Sequence, residues 1–305
     1  MRRRRWRSAF PVLFVFYVFF AFCFPLSQVE VSLHRAYNAL VNSHLLAIKI
    51  GNSNVTFGVF ENTTLAARWR AHTEIDKTAD EYAILLDDFF AQAAFTPHVI
   101  DGERWKGIAL VSVVPPLTTT FQELCQHYLE IEPLIIRAET KTGMPIRYAD
   151  PRALGADRLV AAVAAKQKFG APVIVIDFGT ATTFNAVNRA GEFVGGAIAP
   201  GLHLAADALY RSTAQLPRVD LALPPRAIAT NTIHAIQSGI LVGYLGMIEG
   251  MIARIRAELD APDARVIATG GLAPMLAPQA RVIDAVEPDL ILDGLRIIYE
   301  MNNHQ

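Results

Sequence analysis

A strand-turn-strand pattern occurs twice in this chain, and the repeat limits the possible folds more than any other feature. The first copy reads "LLAIKIGNSNVTFGVF" over residues 45–60, and the second reads "VIVIDFGTATTFNAV" over residues 173–187. Each copy has an apolar strand with one charged residue, Lys49 or Asp177, then a glycine two positions later, a polar turn and a return strand. A repeat of this length predicts two similar domains that face each other across a cleft.

The turns of both copies have a composition typical of phosphate sites. Glycine together with hydroxyl and amide side chains presents donors to a phosphate group. A third segment, "VIATGGLAP" at 266–274, predicts a strand, a Gly-Gly turn and a helix, and such a turn lets a nucleotide approach the backbone closely. One polar turn alone would favour the simpler interpretation that it only closes a hairpin, but the three together predict an ATP cleft.

Apolar strands alternate with segments of helical periodicity along the chain, so the sequence predicts an α/β fold. The 305 residues are enough for two domains, which we expect at 45–150 and 151–305 after an extension over residues 1–44. The longest predicted helix runs from about Thr232 to Leu259, with Asn231 as its N-cap.

The composition argues against several classes of function. Only two cysteines occur, Cys23 and Cys125, so a disulfide framework is excluded and a reducing compartment is expected. The eight histidines lack metal-ligand spacing, which argues against a structural zinc site. Five of the 28 basic residues fall in the first seven positions, and the other 23 face 29 acidic residues. The body is therefore mildly acidic, and no nucleic-acid partner is expected.

The N-terminal segment combines five arginines with an apolar run from Ala9 to Leu26. This pattern is typical of a signal peptide or signal anchor, which would place the body outside the cytoplasm, where ATP is not available. The alternative that we prefer is a mis-called upstream extension over residues 1–44, which leaves the body in the cytoplasm. A membrane contact is expected only if the segment is real, and N-terminal sequencing of the native protein distinguishes the two interpretations.

Short motifs in a fixed order cover nearly all of the chain from about Leu45 to Asn302. They read "GNSN" (51–54), "TADEYA" (78–83), "SVVPPLT" (112–118), "YADPRALGADR" (148–158), "DFGTATTF" (177–184), "GGAIAPGL" (195–202), "NT" (231–232) and "ATGGLA" (268–273). By these motifs the body resembles type III pantothenate kinases, members of the superfamily of acetate and sugar kinases, actin and heat-shock ATPases. The resemblance implies an actin-like ATPase fold of duplicated ribonuclease-H-like domains. It also implies ATP-dependent phosphorylation of pantothenate to 4'-phosphopantothenate, the first step of coenzyme A biosynthesis.

The resemblance further implies roles for individual residues. Asp157 would be the general base that takes the proton from the substrate's primary hydroxyl. Asp177 would hold a monovalent cation, potassium or ammonium, and ATP would bind with Mg²⁺. The substrate site, built at the interface of a homodimer, would comprise Tyr148, Gly155, Ala156, Asp157, Arg158 and Thr232. The ATP site would comprise Lys49, Ile50, Gly51, Asn52, Ser53, Asn54, Val55, Thr56 and Thr180.

Lys49 departs from the family pattern, because family members carry Asp at this position. An ammonium group offers only donors and cannot replace a carboxylate as a magnesium ligand. Lys49 could contact the ATP phosphates and supply positive charge to them. Alternatively, it could pair with Asp157 or Asp177 and disable the base or the cation site. A purely structural role for Lys49 in the core is unfavourable, because burying an unpaired ammonium costs free energy.

Three functional hypotheses follow from these observations. The first is a cytoplasmic pantothenate kinase, supported by the substrate and phosphate residues that remain intact. The second is a catalytically silent relative that binds pantothenate or nucleotide, or acts as a transcriptional accessory protein, and it is supported by Lys49. The third is an anchored extracytoplasmic protein, supported only by residues 1–26. We expect the first, because most of the chemistry is retained.

Overall fold

The computed structural model of the protein describes residues 44–92 and 105–303. The basic and apolar N-terminal segment lies outside the described residues, so its predicted role as an anchor or a mis-called extension stays a prediction. Within the described part, the chain forms two five-stranded mixed sheets with helices packed against their faces. The predicted α/β class is confirmed.

The first sheet has the strand order β3-β2-β1-β4-β5. The strand β1 pairs antiparallel with β2 and parallel with β4, and is therefore an interior strand of the sheet. Its side chains alternate between two hydrophobic clusters, since Leu46 and Ile48 face one cluster while Leu45 and Ala47 face the other. The strand bounds are β1 (His44–Ile50), β2 (Asn54–Glu61), β3 (Thr64–His72), β4 (Trp105–Ser112) and β5 (Leu134–Ile135).

The second sheet has the order β10-β9-β6-β7-β8, which is the order of the first sheet read from its other end. The strand β6 corresponds to β1: it pairs antiparallel with β7 and parallel with β9. This shared topology confirms the repeat that the two polar turns predict. The strand bounds are β6 (Val173–Phe178), β7 (Ala181–Val187), β8 (Phe193–Pro200), β9 (Arg265–Thr269) and β10 (Ala285–Val286).

The helices fill the layers on and between the sheets. Helices α1 and α2 cover the outer face of the first sheet, and α6 covers the outer face of the second. Helices α3 and α8 occupy the central layer and contribute to the same buried cluster as Leu45 of β1 and Val173 of β6. The helix bounds are α1 (Ala79–Gln92), α2 (Pro115–Tyr128), α3 (Ala156–Phe169), α4 (Leu202–Arg211), α5 (Thr232–Gln237), α6 (Gly243–Glu258), α7 (Ala273–Leu276) and α8 (Leu290–Asn303).

The helix predicted as continuous from Thr232 to Leu259 is interrupted. A π-helical turn over Ser238–Val242 separates α5 from α6. The turn contains Gly239 and is followed by Gly243, and glycine lowers the preference of this stretch for a regular α-helix. The predicted N-cap is confirmed, because the Asn231 side chain accepts a 2.9 Å hydrogen bond from the His234 amide.

One helical segment of the described residues, Thr232–Glu258, is long and apolar enough to cross a membrane. Its inward side chains Ile248, Ile252 and Ile255 belong to the core cluster of the second sheet. Core helices of folded domains meet the same criteria of length and composition. The segment is therefore accounted for by its packing on the second sheet.

Candidate active site

The two polar turns of the repeat meet across the cleft between the sheets. The hydroxyl oxygens of Ser53 and Thr180 lie 2.6 Å apart, within hydrogen-bonding distance, although they belong to different sheets. The first turn is closed by a 3.0 Å hydrogen bond from the Gly51 amide to the Asn54 carbonyl. The Thr73 hydroxyl donates a 2.6 Å hydrogen bond to the Gly51 carbonyl and fixes this turn to the end of β3.

A cleft of about 540 Å³ opens at this meeting point. Most residues predicted to bind ATP line it: Lys49, Gly51, Asn52, Ser53, Asn54, Thr56 and Thr180, together with Asp177. Two predicted residues do not. The side chains of Ile50 and Val55 are buried in the core of the first sheet, so they support the turn from beneath and have only backbone atoms to offer a ligand.

Lys49 and Asp177 occupy corresponding places in the two copies of the repeat, and they form an ion pair across the cleft. The Lys49 Nζ lies 3.5 Å from the Asp177 Oδ2. The other oxygen of Asp177, Oδ1, is buried and has no hydrogen-bond partner within the described part of the chain. One oxygen of this carboxylate is therefore compensated by Lys49, and the other keeps an unused capacity to accept a hydrogen bond.

The third turn approaches the same carboxylate from β9. Gly270 has a φ of +90°, and a Cβ added there would lie 2.4 Å from Asp177 Oδ1 and 2.6 Å from the Phe178 carbonyl oxygen. Only glycine fits both the backbone angle and this contact. Gly270 and Gly271 also line the cleft. The Gly-Gly segment that predicted a nucleotide contact thus lies beside the two polar turns.

Asp157 lies in the first turn of α3, a helix start where the helix dipole favours a carboxylate. Its Oδ1 accepts a 2.8 Å hydrogen bond from the Arg158 amide. Burial raises the pKa of Asp157 above its ordinary value, and the negative charge of Asp177 raises it further. The nearby positive charge of Lys49 opposes both effects and lowers this pKa. The charges of Lys49 and Asp177 in the cleft therefore act on Asp157, although Asp157 does not itself line the cleft.

The guanidinium of Arg158 is buried under the second sheet. Its Nε donates a 2.6 Å hydrogen bond to Asn185 Oδ1, and its Cζ lies 5.8 Å from the ring centre of Phe193. The Tyr148 ring packs against the same Phe193 at 6.3 Å. One terminal nitrogen of Arg158, Nη2, is buried and lacks a partner among the described residues. A buried cationic donor of this kind is suited to binding an anionic ligand.

The remaining predicted substrate residues divide between two places. Gly155 and Ala156 form the start of α3 beside Asp157, and the Gly155 carbonyl accepts a 3.0 Å hydrogen bond from the Arg158 amide. Thr232 does not line the cleft. It is exposed at the start of α5, at the edge of a shallow groove of about 590 Å³ with mostly apolar walls. Within one chain, the structure does not bring Thr232 to the phosphate turns.

Several cleft residues were not predicted from the sequence. Arg68 and Arg70 project from β3, where alternating exposure could have indicated them as an outward-facing basic pair. Arg68 forms a 2.6 Å ion pair with Asp289. Arg70 also lines the cleft, and no ion pair is seen for it in the ranges 44–92 and 105–303. Outside the cleft, the contacts of Asn185 and Phe193 with Arg158 were also missed, because nothing in a strand sequence distinguishes a residue that orients another side chain from a core residue.

No group of three His, Cys, Asp or Glu side chains that could hold a metal ion occurs within residues 44–92 and 105–303. The carboxylates of Asp177, Asp207 and Asp289 line the cleft. Magnesium is commonly bound by one or two carboxylates together with substrate phosphates and water. The residues present therefore fit a magnesium ion that enters with a nucleotide.

Comparison with known proteins extends these observations. The family model described as type III pantothenate kinase matches residues 45–254. A type III pantothenate kinase of Roseiflexus castenholzii is 48% identical over 258 residues, which cover 85% of this chain and 99% of that protein. A protein of the same name from Anaeromyxobacter dehalogenans is 46% identical over 258 residues, with the same coverage.

A solved structure shares the fold at lower identity. It is that of a Campylobacter jejuni protein assigned to the Baf family of transcriptional activators, with a TM-score of 0.54 and 18% identity. The match covers 85% of this chain and all of that one. At this identity the likeness concerns the fold alone, and it agrees with the predicted pair of similar α/β domains around a cleft. The family is established by the sequence matches: this chain belongs to the type III pantothenate kinase family.

Proposed function

We propose that the protein transfers the γ-phosphoryl group of ATP to the primary hydroxyl of pantothenate and forms 4'-phosphopantothenate, the first step of coenzyme A biosynthesis. The proposal is carried by the contact between the Ser53 and Thr180 hydroxyls across the cleft. The charges of Lys49 and Asp177 in that cleft also act on the pKa of Asp157. The relatives that match nearly the whole body are named for this activity. The silent relative is not favoured, since these matches all point to a kinase.

In this proposal ATP lies in the cleft with its phosphates between the two polar turns. Gly51, Asn52, Ser53, Asn54 and Thr180 supply backbone and hydroxyl donors, which suit phosphate oxygens. The Gly270-Gly271 turn gives the rest of the nucleotide close access to the backbone. The magnesium ion would enter with the nucleotide and be held by its phosphates and by water, since Lys49 already neutralises the carboxylate of Asp177. That ion supplies charge neutralisation on the transferring phosphoryl group when it is bound.

Pantothenate carries a carboxylate at one end and the reacting hydroxyl at the other. Arg158 is placed to receive the carboxylate, because its buried Nη2 has no partner in the described residues. Phe193 packs against both Arg158 and Tyr148, so these side chains form one wall of the proposed substrate site. Gly155 and Ala156 shape the same wall at the start of α3.

Asp157 acts as the general base in this proposal. It holds the substrate hydroxyl and takes its proton as the oxygen forms its bond to phosphorus. A raised pKa makes this carboxylate a stronger base than an exposed one, and burial is its main cause. The protein therefore needs Asp157 in its ionised form before each turnover.

The finer features that the resemblance implies belong to the same proposal. We propose two domains at 45–150 and 151–305, with α8 returning from the second to pack against β1 of the first. We propose a cytoplasmic homodimer in which Thr232, from the apolar groove beside α5, reaches the substrate site of the partner. The mainly apolar wall of that groove suits burial in an interface. The resemblance also implies a monovalent cation, potassium or ammonium, at Asp177, but in this chain the Lys49 ammonium lies 3.5 Å from that carboxylate.

The test is an assay for 4'-phosphopantothenate with ATP, Mg²⁺ and potassium chloride. The unmodified protein is expected to form the product. Asp157→Asn should lower kcat by about 10²- to 10⁴-fold, the usual contribution of a general base, and should still bind both substrates. Product formation that is unaffected by Asp157→Asn would contradict the assignment of the base. No product at any concentration of pantothenate, from protein that binds ATP, would contradict the proposed activity.

A further inference from the structure

We propose that the Lys49 ammonium group acts as a built-in monovalent cation for Asp177, so that this protein needs no added potassium or ammonium ion. The inference rests on the proposed function only for the identity of the reaction. Its observations are the charge, position and burial of Lys49 itself. In this inference Lys49 supports phosphate binding, and its presence does not disable the enzyme.

The contact between the two groups is the first step. The Lys49 Nζ lies 3.5 Å from Asp177 Oδ2, and the two side chains are only 24% and 13% exposed. Salt screens an ion pair in such a position much less than one on the open surface. The pair joins the ends of β1 and β6, the corresponding strands of the two sheets. Lys49 thus places a single positive charge where both phosphate turns converge.

A second cation on the same carboxylate is disfavoured. Asp177 Oδ1 is buried and has no hydrogen-bond partner among the described residues, but the fixed charge of Lys49 is held on the other oxygen. Two unit positive charges about 4 Å apart in a protein environment repel enough to weaken ion binding by about a hundredfold or more. The residues present therefore do not fit a tightly bound potassium ion.

The local charge balance supports the same conclusion. The carboxylate that the family resemblance implies at position 49 would join Asp157 and Asp177, giving three negative charges that a free cation would offset. Lysine changes the charge at that position by two units. Lys49 also lines the cleft beside Ser53, and an ammonium has three donors. One donor compensates Asp177, and the others are available to phosphate oxygens.

The test measures nucleotide binding and thermal stability in the full chain. The affinity for a non-hydrolysable ATP analogue is determined by calorimetry with Mg²⁺ in potassium, sodium or tetramethylammonium chloride at one ionic strength. The unmodified protein is expected to show the same affinity within about twofold, and the same Tm, in all three salts. Lys49→Asp should bind the analogue at least about tenfold more tightly in potassium than in tetramethylammonium, because a free ion then has a site.

Two further variants make the result decisive. Lys49→Met removes the charge without adding a carboxylate, and it should also gain a potassium preference. Lys141→Asp makes the same change of charge at an exposed position outside the cleft, and it should show no preference. A potassium preference of tenfold in the unmodified protein would overturn the inference, and so would its absence from folded Lys49→Asp and Lys49→Met. Failure to form 4'-phosphopantothenate in every salt would instead count against the proposed function, since the binding data do not depend on turnover.

Discussion

Arg158 Nε donates a 2.6 Å hydrogen bond to Asn185 Oδ1, and this bond orients a guanidinium that is only 6% exposed. The amide of Asn185 is itself fixed, because its Nδ2 donates a 3.1 Å hydrogen bond to the Thr183 hydroxyl. The pair connects the first turn of α3 with β7. Orientation matters here, since Nη2 of Arg158, which has no partner in the described part of the chain, is the donor that we assign to the pantothenate carboxylate.

We therefore expect Asn185→Leu to raise the KM for pantothenate by about tenfold or more, because hydrogen bonds to charged groups contribute about 1.5–3 kcal/mol. The KM for ATP should not change, because Asn185 does not line the ATP cleft. Steady-state kinetics with each substrate varied separately gives the answer. Asn188→Ala, which removes an amide that contacts Glu192, serves as the control. An unchanged KM for pantothenate in stable Asn185→Leu protein would refute the positioning role.

The pH dependence of the reaction tests how the charges of Lys49 and Asp177 affect the pKa of Asp157. Burial raises the pKa of Asp157, and the base must be ionised, so kcat/KM should fall as the pH falls through this raised pKa. The positive charge of Lys49 lowers the pKa of Asp157, whereas the negative charge of Asp177 raises it. Lys49→Met should therefore shift the acid limb of the profile to higher pH, and Asp177→Asn should shift it to lower pH. Shifts in the same direction for both variants would contradict the opposite effects of Lys49 and Asp177 on the pKa of Asp157.

The repeat of polar turns was sufficient to predict the paired sheets, because each copy contains the local signals of a strand, a turn and a return strand. The same reasoning placed Ser53 and Thr180 in one cleft, although it could not supply their contact. Ile50 and Val55 were included in the predicted site because motifs are contiguous in sequence, whereas alternate side chains of a strand point to opposite faces. Burial of these two side chains appears only when α1 and α2 cover the sheet.

Residues far apart in the sequence were harder to predict. Asn185 and Phe193 gain their roles from contact with Arg158, and such contacts depend on how α3 packs against the second sheet. The π-helical turn after α5 was missed for a related reason, since helical periodicity continues through it. Lys49 is the opposite case. The sequence identified it as a departure and left its partner open among the ATP phosphates, Asp157 and Asp177, and the structure pairs it with Asp177.

Arg70 offers a test of the nucleotide site that does not involve the repeat. It projects from β3 into the cleft, and its Nη1 lies 3.7 Å from the position of a Cβ at Gly271. We expect Arg70→Ala to raise the KM for ATP by about 10- to 100-fold, the effect of losing a charge-assisted hydrogen bond. Arg70→Lys should recover only part of the loss, because lysine lacks the forked donor geometry.

The control for Arg70 is an arginine that faces solvent away from the cleft. Arg189 pairs with Asp263 at the turn between β7 and β8, and Arg189→Ala should leave the KM for ATP unchanged. The KM for pantothenate should stay constant in all three variants. Equal losses in Arg70→Ala and Arg189→Ala would indicate a general effect of net charge and would remove Arg70 from the proposed ATP site.

The packing of α3 against α8 ties the stability of the fold to the position of the base. A Cβ added at Gly294 of α8 would lie 2.4 Å from the carbonyl oxygen of Val160, in the middle of α3. Gly294→Ala should therefore lower the free energy of unfolding by about 1–3 kcal/mol, the usual cost of overpacking a core. Because Asp157 lies in the first turn of α3, the same displacement should also lower kcat in the protein that remains folded.

Urea unfolding followed by circular dichroism measures the stability, and Gly250→Ala is the matched control. Gly250 is exposed in the interior of α6, and nothing lies within 4 Å of a Cβ added there. Alanine at this site should leave the free energy of unfolding unchanged or raise it by up to about 1 kcal/mol, since alanine favours helix over glycine. If Gly294→Ala were as stable as Gly250→Ala, α3 and α8 could move apart without a loss in the free energy of unfolding. The close contact of α8 with α3 would then not be what holds Asp157 in place.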